Sequence, residues 1–262
     1  MERCWRSHDG LLHVYVCVDP RRTKDRMTML RRVEPELLDT LPADDPSAVR
    51  SRNDLRRINR LMGTIGMLGD ALETAIGSSP SVRIVELGAG DASLMLRLAR
   101  QRAKRWPRVR VGLLDMQPVV RADTLTGFTN LGWDAQIIGA DVFDWLAQAD
   151  TADPPIIVAN LFVHHFDDAR LSALLAGIAA RARAFVCCEP RRSRVALTGS
   201  HLLGAIGCNA VTRNDAVISV RAGFNGNELS RVWPHSVAWD LHEGRAGLFC
   251  HRFMALRMPA NP

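Results

Sequence analysis

Short, nearly continuous apolar runs alternate with amphipathic segments from Ser81 onward. Five of these runs predict strands: VRIVELG, VRVGLLDM, DAQIIGADV, PIIVANLF and AFVCCEP. Strands that are apolar along their whole length are typical of a parallel sheet covered by helices on both faces. The pattern therefore predicts an α/β fold with a doubly wound, mostly parallel sheet. The loops that follow its strands should lie along one edge, where ligands bind.

The two ends of the chain depart from this alternation. Residues 45–77 have helical spacing and predict a pair of helices closed by Gly77. The last segment, SVAWDLHEGRAGLFCHRFMALRM, predicts two longer strands that turn around Glu243–Gly244, an antiparallel hairpin that would bring the sheet to seven strands. We therefore expect three parts: a disordered tail over residues 1–26, a helical cover over 27–80, and a main ligand-binding domain over 81–262.

The composition of the chain argues against two classes of protein, membrane-spanning and nucleic-acid-binding. The chain has 262 residues, 47% of them hydrophobic, and no stretch long and apolar enough for a membrane span. Its net charge of +6 is uneven, because residues 1–32 hold eight Lys/Arg against four acids. Without a basic stripe beyond that segment, nucleic-acid binding is not indicated.

The six cysteines show no CxxC spacing and no histidine at zinc-finger distance. A disulfide framework is not expected in a chain of this size without a secretion signal, and the segment LLHVYVCV is too short and too polar at its edges for one. We therefore expect a cytoplasmic protein.

An acid-x-Gly-x-Gly turn follows the first predicted strand. It consists of Glu86, Gly88 and Gly90, and glycine lets a ligand approach the backbone there. Dinucleotide-binding folds use a similar turn, but here Asp91 and Ala92 follow Gly90, and an acid at that place would repel a pyrophosphate. Glu86, at the strand end, suits a cationic or hydroxyl-bearing ligand.

The next two strands also end in acids. Asp115 ends the second strand, where a carboxylate can accept hydrogen bonds from two ribose hydroxyls. Asp141 follows the third strand and precedes Val142–Phe143, so that an acceptor for an adenine amino group would lie beside an apolar wall. Each acid alone is more often a helix cap, but acids at successive strand ends together indicate a site.

These motifs resemble the class I S-adenosylmethionine-dependent methyltransferases, small-molecule branch, from about Val82 to Ser193. The matching segments are VELGAGD, LLDMQP, GADVF, VANLFVHHF and VCCEPRRS. The resemblance implies a Rossmann-like methyltransferase fold and S-adenosyl-L-methionine as cofactor. The cofactor-binding residues that it implies are Glu86, Gly88, Gly90, Asp115, Met116, Asp141, Val142 and Asn160. Ala92 replaces a third glycine found in many members.

Two adjacent histidines, His164 and His165, follow the fourth strand. Neighbouring residues point apart on a helix or a strand, so both rings should rarely meet one atom, and no metal site is expected. We expect His165 to act as the base toward a substrate hydroxyl and His164 mainly to pack; a purely structural pair remains open. Glu189, at the end of the fifth strand, would orient the substrate or a histidine. Arg191–Arg192 could hold an anionic or phenolate substrate, but as a charge run they favour a solvated rim.

The acceptor is expected to be a small molecule, in keeping with biosynthesis or secondary metabolism. An amino-methylating nucleic-acid enzyme would have Asn/Asp-Pro-Pro-aromatic after the fourth strand, whereas Leu161 follows Asn160. The segment 212–234 should contribute to the acceptor pocket. We expect a hydroxyl or activated carbon of a phenolic, quinone-like or polyketide metabolite. The alternatives are a nucleic-acid methyltransferase and a non-catalytic cofactor-binding module, and a homodimer stays open.

Overall fold

The structure is a computed structural model, and it describes residues 29–79, 81–106, 108–148, 153–234 and 237–258. The predicted tail over residues 1–26 lies outside the described residues. The other elements predicted from the sequence can be compared with the fold directly.

Seven strands form one sheet with the order β3-β2-β1-β4-β5-β7-β6. Strands β1 to β5 run parallel, and β7 pairs antiparallel with both β5 and β6. The strands are β1 (Val82–Leu87), β2 (Val109–Asp115), β3 (Asp134–Gly139), β4 (Ile156–Asn160), β5 (Ala184–Pro190), β6 (Trp239–Ala246) and β7 (Cys250–Arg257). The predicted α/β class and the mostly parallel sheet are confirmed.

The central strands are apolar because both faces of the sheet are covered. Side chains of successive strand residues point to opposite faces, and Ile84 and Val85 accordingly belong to two separate hydrophobic clusters. Ile84 packs in the cluster that contains Leu72 of the N-terminal helices. Val85 packs in the cluster that contains Trp145 and Leu174 on the other face.

Helices cover both faces and follow the predicted order. They are α1 (Leu37–Thr40), α2 (Pro46–Leu61), α3 (Thr64–Ile76), α4 (Ser93–Arg102), α5 (Ala122–Thr129), α6 (Val142–Ala147), α7 (Asp168–Arg181), α8 (Arg194–His201), α9 (Ala210–Ala222) and α10 (Glu228–Val232). Asp45 caps α2 with Pro46 at its first position, and Asp167 caps α7 by accepting a hydrogen bond from the Arg170 N–H.

The C-terminal hairpin is present, but its predicted turn position was wrong. Glu243 and Gly244 lie inside β6, where they pair with Phe253 and Arg252 of β7. The chain reverses after Ala246 instead, and Gly247 has a φ of 69°, a left-handed conformation that favours glycine. Glu243 remains in the strand because its carboxylate accepts hydrogen bonds from the backbone N–H groups of Leu229 and Ser230 in α10.

The strand order reverses at β1, which has β2 on one side and β4 on the other. In open α/β sheets the loops diverge at such a point and leave a crevice beyond the carboxyl ends of the strands. The predicted site residues follow those strand ends. For the described part of the chain, no helix is both long and apolar enough to cross a membrane.

Candidate active site

A cavity of about 500 Å³ opens at this crevice. It is lined by all eight predicted cofactor residues and by both predicted histidines: Glu86, Gly88, Gly90, Asp115, Met116, Asp141, Val142, Asn160, His164 and His165. Glu189 lies behind the cavity wall, fully buried. Residues spread over 80 positions in the chain thus meet in one place because parallel strands share a carboxyl edge.

The turn after β1 brings the backbone to the cavity surface. Gly88 has a φ of 67°, and a Cβ atom added there would lie 2.5 Å from the Phe162 ring. Gly90 and Ala92 also have positive φ values, of 53° and 56°. Only glycine fits at Gly88, since any side chain would collide with the aromatic ring that closes the turn.

Glu86 is a buried carboxyl group on the floor of the cavity. Its Oε2 has no hydrogen-bond partner in the described structure. Burial, together with the negative charges of Asp91 and Asp115, raises the pKa of Glu86 to about 8. A buried carboxyl without a partner is costly, so this group is suited to a cationic ligand that would stabilise its charged form.

Asp115 holds the turn and faces the cavity at the end of β2. One of its carboxylate oxygens accepts a hydrogen bond from the Gly90 N–H at 2.8 Å, and the other accepts one from the Gln117 N–H at 2.7 Å. Each carboxylate oxygen has a second lone pair. The side chain can therefore keep these backbone contacts and still accept hydrogen bonds from a vicinal diol.

Asp141 and its neighbours form the far end of the cavity. Asp141 caps α6 by accepting a hydrogen bond from the Phe143 N–H at 2.7 Å, and Val142 is buried beside it. Met116 is 69% exposed and lines the same cavity. A polar acceptor in a cavity that apolar side chains also line is suited to a flat heteroaromatic ring.

Asn160 ends β4 at the centre of the cavity. Its Nδ2 lies 3.5 Å from Oδ1 of Asn59, and its own Oδ1 is buried without a hydrogen-bond partner. The next residue, Leu161, has a φ of 53°, which is unusual for a side chain of that kind. Strain and an unpaired buried acceptor in adjacent residues are characteristic of a binding site.

His164 is held between two carboxylates. Its Nδ1 lies 2.7 Å from Glu189 Oε2, and its Nε2 lies 3.2 Å from Glu36 Oε1. Burial alone would lower the pKa of His164, but the hydrogen bonds and charges of Glu189 and Glu36 raise it to about 9. His164 is thus an imidazolium at neutral pH that bridges two carboxylates. It was predicted mainly to pack, but it also makes a hydrogen bond to each of these acids.

Glu189 also shapes the turn that carries both histidines. Its carboxylate accepts hydrogen bonds from the backbone N–H groups of Phe162, Val163 and His164. Of the two predicted roles for Glu189, orienting the substrate or a histidine, the contacts of the described residues correspond to the second.

His165 is about one quarter exposed and lines the cavity. Its Nδ1 lies 3.0 Å from the Phe162 carbonyl oxygen, an acceptor, so Nδ1 carries a proton. Within the described part of the chain, its buried Nε2 has no hydrogen-bond partner, and it lies 3.4 Å from Glu36 Oε2. His165 therefore has one nitrogen without a hydrogen bond, whereas both nitrogens of His164 are engaged.

The expectation that the two rings would point apart was wrong. They lie in one 3-10 turn, Val163–His165, with ring centroids 4.3 Å apart and planes tilted by 32°. The tight turn and the Glu189 contacts direct both Nε2 atoms toward Glu36. These three side chains present donor atoms within 4.8 Å of one another, but a protonated His164 offers no lone pair to a metal. The absence of a metal stays a prediction.

The sequence did not identify Glu36 as a site residue, because the predicted helical cover carries no motif at that position. Its segment is anchored by Arg31, which donates hydrogen bonds to the Phe166 carbonyl at 2.7 Å and the Ala222 carbonyl at 2.9 Å. Asp215 of α9 accepts from the N–H groups of Leu37 and Leu38. Burial raises the pKa of Glu36, but the close contacts of its carboxylate with the two histidines, the His164 hydrogen bond above all, outweigh burial and lower that pKa.

A second, apolar cavity of about 180 Å³ adjoins the first. Glu36, Leu38, Leu55 and Leu161 line both. Most of its other lining residues belong to α2, α8 and α9. Four of them lie in segment 212–234, which was expected to contribute to the acceptor pocket: Thr212, Asp215, Ala216 and Val220.

The prediction of a solvated rim at Arg191–Arg192 was wrong for Arg192. That side chain is buried, donates hydrogen bonds to the carbonyls of Met29 and Gly223, and pairs with Glu228. Arg192 thus connects the N-terminal segment to the end of α9. Its side chain is buried because it lies between those two elements.

No known protein-family profile and no curated protein sequence matches this chain. Solved structures do. An O-methyltransferase family protein from Burkholderia thailandensis superposes with a TM-score of 0.55 at 13% identity, covering 84% of this chain and 62% of that one. The mitomycin 7-O-methyltransferase MmcR superposes with a TM-score of 0.50 at 19% identity, covering 85% and 60%.

A third similar structure, LaPhzM, has a TM-score of 0.51 at 18% identity and covers 86% of this chain and 62% of its own. The chain thus spans about three fifths of the length of these structures. The shared feature is the fold: a seven-stranded, mostly parallel sheet with an antiparallel C-terminal pair. The fold expected from the sequence resemblance is therefore confirmed.

Proposed function

We propose that this protein binds S-adenosyl-L-methionine and transfers its methyl group to a small molecule. One observation carries the proposal: acids and glycines from three consecutive strand ends, Glu86–Gly90, Asp115 and Asp141, line a single cavity at the switch point of the sheet. In this assignment Glu86 faces the ammonium group, Asp115 the ribose hydroxyls, and Asp141 with Val142 the adenine. Met116 and Asn160 complete the cofactor-binding set.

The acceptor occupies the smaller, apolar cavity. Several of its lining side chains are aliphatic or aromatic, including Ile58 of α2, Leu203 in the 3-10 turn after α8, and Phe249 between β6 and β7. Such a cavity favours a compact, largely apolar molecule whose reacting atom reaches the junction with the larger cavity. We therefore assign the acceptor to phenolic, quinone-like or polyketide metabolites, with a hydroxyl or an activated carbon as the nucleophile.

The chemistry asks little of the protein beyond alignment and proton removal. When bound, S-adenosylmethionine supplies a methyl group on a positively charged sulfur that needs no activation. The chain holds the acceptor in line with that methyl and excludes water. His165 receives the acceptor proton through its unpaired Nε2, while His164 and Glu189 hold the turn in place.

Calorimetry with Asp115→Ala tests the cofactor assignment. The variant removes a two-hydrogen-bond acceptor, a loss of about 1–3 kcal/mol, so the Kd for S-adenosylmethionine should rise roughly tenfold or more. Asp123→Ala is the matched control, because Asp123 is an exposed acid paired with Arg121 outside the cavity. Unchanged affinity in Asp115→Ala, or an equal loss in both variants, would contradict the assignment.

The acceptor class is tested by a turnover screen of phenols, quinols, carboxylic acids and short RNA with methyl-labelled cofactor. We expect transfer to phenols or quinols. Transfer to RNA alone would reject the small-molecule assignment while leaving the cofactor assignment intact. Cofactor binding without transfer to any acceptor would instead favour the binding-module alternative.

A further inference from the structure

Glu36 stands between the proposed acceptor and the proposed base. It lines both cavities at their junction, yet only 9% of the residue is exposed. Its Oε1 is occupied by His164 Nε2 and by the Ser219 hydroxyl, which donates to it. Its Oε2 has a single close neighbour among these contacts, His165 Nε2 at 3.4 Å.

The contact between Glu36 Oε2 and His165 Nε2 is not a hydrogen bond. Nδ1 of His165 donates to the Phe162 carbonyl, so a neutral ring leaves a lone pair on Nε2. That lone pair faces the lone pairs of a carboxylate, and Nε2 accordingly has no hydrogen-bond partner. Two facing acceptors repel each other, and a proton placed between them turns the repulsion into a charge-assisted hydrogen bond.

Nε2 itself is covered, since its exposed surface is essentially zero. A hydroxyl at the cavity junction therefore meets the Glu36 carboxylate before it can meet the imidazole. Asp39, in the helix that begins directly after Glu36, lies 3.8 Å from the same nitrogen, but its side chain is 60% exposed. Glu36 is the acid positioned at the reacting end.

We propose that Glu36 is a further catalytic residue: its Oε2 binds the reacting hydroxyl of the acceptor and passes the proton to His165 Nε2. This inference rests on the proposed function and refines the role of His165 within it. As the acceptor oxygen bonds to the methyl carbon, the carbon–sulfur bond breaks and its electron pair stays on sulfur. The hydroxyl proton moves to Glu36 and then to His165, which later releases it to water.

The network around Glu36 supports a relay rather than a lone base. His164, as an imidazolium, and the Ser219 hydroxyl hold Oε1 and leave Oε2 free. A carboxylate held by cations is a weak base on its own, so the proton should move on to the imidazole behind it. The preferred acceptor is then a neutral hydroxyl, because an ionised oxygen would meet the negative charge of Glu36.

The test compares Glu36→Gln with Asp44→Asn, which neutralises an exposed acid of the same N-terminal segment that lines neither cavity. Turnover is measured on two phenols of similar size, one ionised and one neutral at the assay pH. Glu36→Gln should lose about 10²-fold or more on the neutral phenol but keep or gain activity on the ionised one. Asp44→Asn should stay close to wild type on both. Cofactor affinity, followed by calorimetry, should be unchanged in all.

An equal loss on both phenols would overturn the relay, because it would mean that Glu36 only shapes the cavity. An equal loss in Asp44→Asn would overturn it as well. If no acceptor turns over, side-chain ¹⁵N NMR of His165 tests the Glu36 contact without an acceptor. The Nε2 resonance of His165 should respond to Glu36→Gln and not to Asp44→Asn, and a resonance unchanged in Glu36→Gln would reject the contact. Failure of wild-type protein to bind S-adenosylmethionine would instead reject the proposed function.

Discussion

At the scale of the residue, the two neighbouring histidines have unequal partners. His164 is buried between Glu189 and Glu36, whereas His165 has one engaged nitrogen and one unpaired nitrogen. A buried imidazolium with two carboxylate partners holds its proton firmly, so it is a poor general base at neutral pH. The difference in contacts, more than any difference in sequence, supports the proton-accepting role proposed for His165.

We predict that His165→Ala keeps cofactor affinity and loses turnover by about 10²–10⁴-fold. The loss should be most severe below about pH 7, and raising the pH should partly restore the rate by ionising the acceptor itself. The measurement is a pH profile of kcat for wild type and variant, with calorimetry for the cofactor. His242→Ala, which changes an exposed histidine on β6, is the control.

Two other outcomes of this experiment would each lead to a different conclusion. If His165→Ala turns over normally and His164→Ala is inactive, the roles of the two histidines are reversed. If both variants remain active and only their melting temperatures fall, the pair is structural.

At the scale of the element, the turn between β1 and α4 is the most constrained part of the site. Gly88 combines a positive φ with an aromatic ring in the space where a Cβ would lie, whereas Gly63 has a nearly equal φ of 69° and open space. The two glycines therefore separate backbone strain from steric collision within one protein.

We predict that Gly88→Ala weakens S-adenosylmethionine binding and destabilises the fold more than Gly63→Ala does. Gly63→Ala should cost about 1–2 kcal/mol of unfolding free energy from the left-handed conformation alone. Gly88→Ala should cost more, because Phe162 must also move. Urea unfolding and calorimetry measure both effects. Equal losses would show that Phe162 is free to shift.

Residues 1–26 are predicted to be dispensable. Their sequence lacks a packed pattern, and ordering them would cost about 1–2 kcal/mol per residue without burial to offset it. A chain that begins at Met27 keeps Arg31 and Glu36, the residues that anchor the N-terminal segment and complete the site. It should bind S-adenosylmethionine with unchanged Kd. A sharp fall in affinity or in melting temperature would contradict this.

At the scale of the whole molecule, the buried charges at the site couple stability to pH. His164 has a folded pKa of about 9 against an ordinary 6.5, so its stabilisation is complete below about pH 6.5 and is lost as the pH rises through 9. Glu86 has a folded pKa of about 8 against 4.5, so its cost is absent below about pH 4.5 and grows as the pH rises to 8. Both effects lower the free energy of unfolding as the pH rises.

We therefore predict that the cofactor-free protein loses stability between about pH 6.5 and 9, by an amount on the order of a few kcal/mol. Thermal unfolding across that range measures the loss. Glu86→Gln should be more stable than wild type at about pH 8 and should bind S-adenosylmethionine poorly, because the amide lacks the charge that an ammonium requires. A pH-independent melting temperature would show that neither group is perturbed.

The predicted α/β class and the gathering of the proposed cofactor residues around one cavity both follow from local sequence patterns. Apolar runs predict parallel strands because both faces are buried, and Asp115 and Asp141 follow strand ends whose direction the crossover rule sets. These features could be predicted because each motif lies next to the strand that positions it. The position of the hairpin turn could not, because Glu243 stays in its strand through contacts with α10, an element that its own neighbours in sequence do not reveal.

Tertiary structure alone decided the partners of the histidines. From the sequence, His165 was expected to be the base and His164 mainly to pack, but neither histidine had an established partner, and Glu36 was an acid without a motif in a helical cover. Contacts across more than 120 positions of the chain place Glu36 against both rings, and Glu189, 25 positions from His164, lies behind one of them. Sequence patterns encode which residues are buried and where the chain turns. Which buried acid meets which base depends on how distant elements pack, and that pairing determines where a proton can go.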